Sequence, residues 1–158
     1  MAQDAARIRR RIYAGTRFAV VASAMRPMKT KRLFVVTTVA EVGIGLALLL
    51  FPQFPVSMLL GTPLGPAGAQ PVARVAGAAL LSLGLACWLA RDDEHSRVAT
   101  GMIAAMLTYN TAAFAVLAYA GIGLRLFGIG LWPAVLLHAA LAVWCLACLR
   151  KAPVTVAN

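Results

Sequence analysis

Four long apolar runs, separated by short polar or proline-rich stretches, organise the chain. The first is Leu33 to Phe51, stopped by Pro52. The second is Val72 to Ala90, entered from Pro71 and ended by Arg91-Asp92-Asp93-Glu94. The third is Val98 to Ala120, ended at Gly121. The fourth is Ile129 to Leu149, stopped by Arg150-Lys151-Ala152-Pro153. About 20 apolar residues at a rise of about 1.5 Å span a hydrocarbon core of about 30 Å. No water is present there to satisfy backbone groups, so each run is expected to be a helix. The alternation of a barrel strand is absent. The expected fold is all-α: an integral membrane bundle of four antiparallel helices covering residues 33–151, with spans at 33–51, 72–90, 98–120 and 129–149.

Composition agrees with the pattern. Of 158 residues, 61% are hydrophobic and 13% charged, and the mean hydropathy is +0.82. Soluble domains average about 45–50% apolar and about 25% charged. Disordered, collagenous, disulfide-rich secreted and ordinary cytosolic classes are therefore disfavoured.

Charge supplies orientation. Residues 1–32 hold nine of the fifteen Lys and Arg, against Asp4 alone. With Arg91, Arg97, Arg150 and Lys151, this arm defines one strongly basic side. The opposite side has Arg125, plus Arg74 just inside the second span. The positive-inside rule then places both termini in the cytoplasm, and the expected location is a bacterial inner membrane. Residues 1–32 read as a basic cytoplasmic arm that meets anionic lipid headgroups. Within it, residues 7–25 have the pattern of an interfacial amphipathic helix or a disordered arm. Residues 152–158 read as a cytoplasmic tail. No cleaved signal is expected. Nucleic-acid binding is not expected, because no folded basic domain accompanies the charge.

The outer loop, 52–71, contains five prolines and no charge. Its segment Pro55 to Gly61 is expected to form a short turn at the membrane interface. Trp88, Trp132 and Trp144 lie toward span ends, as interfacial anchors do.

The chemistry concentrates at one depth. Glu41, Ser82, the pair Tyr109-Asn110, and His138 each fall near the middle of their own spans. Small neighbours at helical spacing let these residues meet: Thr37 or Thr38 with Glu41 and Gly45; Ala73, Gly77 and Gly84; Met102, Met106, Asn110 and Ala113; Ala134, His138, Ala142 and Cys145. A charged carboxylate at mid-membrane costs roughly 2.5–3.5 kcal/mol on insertion scales. Glu41 must therefore be neutral, paired or hydrated, and His138 is its expected partner, with Tyr109 and Asn110 completing the network. Such a layer either carries function or glues helices together. Arg74 can snorkel outward or contact an anionic headgroup.

Other chemistries are weaker. One His and one carboxylate at a common depth fall short of a metal site. Cys87, Cys145 and Cys148 lie toward the cytoplasmic side, where thiols stay reduced, and read as small hydrophobes. No phosphate loop or hydrolytic carboxylate pair is present.

Glu41-Val-Gly-Ile-Gly-Leu and Arg74-Val-Ala-Gly-Ala-Ala-Leu-Leu-Ser-Leu-Gly-Leu resemble the first two spans of DoxX-like four-helix bacterial membrane proteins, and size and span count match over residues 33–149. The resemblance implies a link to quinone-associated redox complexes and no particular catalytic residue. Three readings follow. The first is a non-catalytic membrane protein whose polar layer binds a lipophilic molecule, a quinone or a lipid for instance, or a membrane partner subunit or second copy. The second is a quinone-linked redox component passing protons through Glu41 and His138. The third is a small proton-coupled transporter.

Overall fold

The computed structural model describes residues 27–93 and 96–150. The expected helix at 7–25 and the tail at 152–158 lie outside the described residues. Five helices follow in order: α1 (Pro27–Leu50), α2 (Gln53–Leu60), α3 (Ala69–Ala90), α4 (Arg97–Ile122) and α5 (Leu131–Leu149). All but α2 are long and apolar enough to cross a membrane. The chain is a small multi-span membrane protein with four candidate spans.

Helix limits follow local chemistry. Helix α1 begins at Pro27, before the apolar run, because Pro at a helix start needs no N–H and Lys and Arg stems tolerate the membrane edge. It ends where Pro52 can no longer donate. Helix α4 is capped by Ser96, whose extended backbone lets Oγ accept from the Ala99 N–H at 3.0 Å. This cap satisfies one of the first-turn N–H groups that a helix leaves unpaired. Helix α5 starts at Leu131, two residues later than the hydropathy suggests, because Gly128 to Gly130 is held against α2.

The expected interfacial turn at 55–61 is instead a full helix, α2. Its prolines sit in the first turn, Pro52 as cap and Pro55 as third residue, where a missing N–H leaves no bond broken. Gly61 ends it in the left-handed region, at φ 71°. The Gly130 N–H donates to the Met58 carbonyl at 2.9 Å. A Cβ on Gly128 would collide with the Met58 and Leu59 backbone. Glycine is therefore required at this close approach.

The spans pack in two antiparallel pairs, α1 with α3 and α4 with α5. In the first pair, partners descend α3 as they ascend α1. Lys31 meets Asp92 at 2.6 Å, Thr38 Oγ1 donates to the Gly84 carbonyl at 3.1 Å, and Gly45 faces Gly77. A Cβ on Gly77 would lie 2.7 Å from the Gly45 carbonyl oxygen and 2.8 Å from the Leu49 nitrogen. These two backbones are thus nearly in contact, as small residues allow within a membrane. In the second pair, Gly121 receives Leu131 and Trp132 side chains.

A shared core joins the two pairs at one end. It comprises Leu33 and Phe34 of α1, Cys87 and Ala90 of α3, Ala99, Ile103 and Met106 of α4, and Leu141 and Cys145 of α5. This is the end bearing the start of α1 and the end of α5. Toward the other end burial becomes sparse, and no residue from Thr111 to Tyr119 of α4 is buried.

Candidate functional site at mid-span

The polar layer lies where the shared core ends. Glu41 is 2% exposed, and Thr37 and Asn110 are fully buried. Glu41 is buried because Thr37, Glu41 and Gly45 repeat at one helical turn and form the inner face of α1. Gly84 of α3 fits beside it: a Cβ there would lie 3.4 Å from Glu41 Cβ and 2.8 Å from a Val42 methyl.

The expected direct pairing of Glu41 with His138 is not what the structure contains. The Glu41 carboxyl instead lies beside the Tyr109 phenol, across the seam between the pairs. Tyr109 and His138 meet edge to face, with ring centroids 5.7 Å apart. His138 Nδ1 bonds Asn110 Oδ1 at 2.8 Å. Asn110 Nδ2 in turn donates to the Met106 carbonyl, also at 2.8 Å. The physical reason is reach. Tyr109 projects a long phenol from α4 toward α1, whereas His138 sits on α5 and finds Asn110 within its own helix pair.

Two oxygens in this layer are left over. Thr37 Oγ1 and Glu41 Oε2 are both buried and have no hydrogen-bond partner among the described residues. Each such orphan costs about 1–3 kcal/mol relative to a satisfied group.

Two expected members do not join. Ser82 is exposed on α3, and its hydroxyl donates to the Ala78 carbonyl of its own helix at 3.0 Å. Arg74 is also exposed. Ser82 faces away because Gly77 and Gly84 turn the opposite face of α3 toward α1, whereas Arg74, one turn before Gly77, is exposed near the start of the helix. Conversely, Cys87 is a neighbour that spacing did not single out. It is fully buried and within electrostatic reach of both Glu41 and Cys145. Its signal in the sequence was the three-residue step from Gly84, which places it on the same face.

Apart from Arg125, in the loop between α4 and α5, the remaining charges gather at the end near the start of α1. Arg91 stacks on Trp88, 3.8 Å from the ring centroid, and also approaches Asp92 at 3.3 Å. The hydrogen bond from Lys31, with help from both cationic charges, holds the Asp92 carboxyl below its usual range. Among the described residues, no three His, Cys, Asp or Glu side chains gather as a metal site would require.

No protein-family model, curated protein or solved structure matches the chain.

Proposed function

We propose that this chain is a non-catalytic membrane protein whose mid-span layer holds the polar end of a lipophilic molecule between the two helix pairs. The observation that carries this reading is the pair of orphan oxygens, Thr37 Oγ1 and Glu41 Oε2. A layer serving only as glue gains by pairing its members, since an interhelical hydrogen bond in a membrane is worth roughly 0.6 kcal/mol. Two unpaired oxygens one turn apart on a buried face are better explained by a group that enters and satisfies them. The tail of such a molecule finds apolar surface on either side.

The charge distribution supports a bacterial inner-membrane protein with the Arg91 and Arg150 ends in the cytoplasm and the basic arm on anionic headgroups. The test is mass spectrometry of what leaves the membrane with the full chain. One lipophilic species is expected to be enriched with the native protein and lost from a Thr37→Val, Glu41→Gln double variant of normal abundance. If native and variant carry the same lipids in the same amounts, the layer is structural and the reading fails.

A second reading is a quinone-linked redox component, as the DoxX-like resemblance implies. The nearness of Glu41 and Tyr109 favours it, because a carboxyl and a phenol that meet across the seam can pass a proton. Recovery of a quinone as the enriched species, with an absorbance change on reduction, would select this reading.

A further inference from the structure

The hydrogen bonds around Asn110 fix more than its own position. The side-chain amide donates through Nδ2 to the Met106 carbonyl, so the end facing His138 is the carbonyl oxygen, which can only accept. His138 Nδ1 must therefore carry the proton in that 2.8 Å bond. Among the described residues no carboxylate bonds the imidazole, and a charged ring at this depth is costly. The neutral ring with its proton on Nδ1 has an unshared pair on Nε2. Ring geometry sends Nε2 away from Asn110, and it makes no hydrogen bond among the described residues. His138 is only partly buried. The next turns of α4 beyond Asn110 contain no buried residue, so the two pairs are not sealed there.

We propose that His138 Nε2 is the acceptor that selects a ligand with a hydroxyl donor, so that the site takes lipophilic alcohols or phenols in preference to their ethers, esters or hydrocarbons. This rests on the proposed lipophilic site and narrows its ligand class. A site that presents an unmatched acceptor disfavours a molecule lacking the donor for it, because the acceptor is then desolvated without compensation. Asn110 is the positioning residue: it holds the tautomer, as the partner of one ring nitrogen does for the other.

The test uses the full chain in lipid nanodiscs with two matched probes, a long-chain para-alkylphenol and its O-methyl ether, titrated and read by native mass spectrometry. The phenol is expected to bind about tenfold more tightly than the ether. In His138→Leu this preference is expected to shrink, and an unchanged preference would overturn the assignment of His138. Nitrogen NMR of the labelled imidazole gives a check that needs no ligand and no variant: Nδ1 protonated and Nε2 bare. Equal affinity of the two probes for the native protein, or an Nε2-protonated ring, overturns the assignment of His138 while leaving a lipophilic site in place. Binding of neither probe, together with no lipophilic molecule co-purifying, removes the site itself.

Discussion

At the scale of single residues, the layer contains side chains under different constraints. Asn110 is bonded at both ends of its amide, so Asn110→Leu strands the His138 Nδ1 proton and the Met106 carbonyl loses a second donor. The expected cost is about 1 kcal/mol or more, read as a lower unfolding midpoint in mixed micelles. Thr37→Val removes an orphan hydroxyl while keeping the shape. It is expected to stabilise the ligand-free protein by up to about 1 kcal/mol, and a clear loss of stability would show that the hydroxyl has a partner after all. At the membrane edge, the Asp92 carboxyl is held low by Lys31. Its contribution is present above the carboxyl's unfolded value of about 3.9 and disappears as pH falls through the depressed folded value. Asp92→Asn should therefore lower stability slightly at neutral pH, leave it unchanged below the depressed folded value, and remove this part of the acid limb. The contact is exposed, so salt should weaken it.

At the scale of helices, the glycines separate into those that build and those that do not. Gly77 touches the α1 backbone, which cannot move aside like a side chain. Gly77→Ala must push α1 and α3 apart and is expected to cost about 1–3 kcal/mol. Gly43, two residues before Gly45, has open space where its Cβ would be, so Gly43→Ala should be neutral or slightly stabilising. Unfolding both variants side by side checks the assignment: equal effects would mean the α1–α3 contact is not the close one. Helix α2 illustrates the same point differently. Its docking depends on Gly128 and on the bond from the Gly130 N–H to the Met58 carbonyl. Gly128→Val is expected to release α2 and raise proteolysis of the 61–68 loop without unfolding the four spans.

At the scale of the whole molecule, two tight helix pairs are joined through a core at one end and a polar layer at mid-span. This division gives the molecule a closed end and a looser one. The charges lie mainly at the closed end, where Lys31, Arg91, Arg97 and Arg150 emerge. Reporter fusions after Arg150 are expected to be active in the cytoplasm, and fusions in the 61–68 loop on the far side. The reverse pattern would overturn the orientation but not the fold, because packing of the pairs does not depend on which side the charges face.

The sequence by itself settled the number and placement of the spans, since hydropathy and backbone satisfaction in lipid leave helices as the answer wherever about 20 apolar residues run together. It also brought Glu41, Tyr109, Asn110 and His138 to one depth, because rise per residue is fixed. It even marked the inner faces of α1 and α3 through Thr37, Glu41, Gly45, Gly77 and Gly84, since helical periodicity is local. Depth and face do not specify which side chains touch. Only the tertiary structure decided that Glu41 meets Tyr109, that His138 turns to Asn110, that Ser82 faces away and that Arg74 is exposed. Those outcomes depend on how each pair rotates about its closest backbone contact. That rotation is set by collisions between residues distant in the chain, a quantity that no periodicity records.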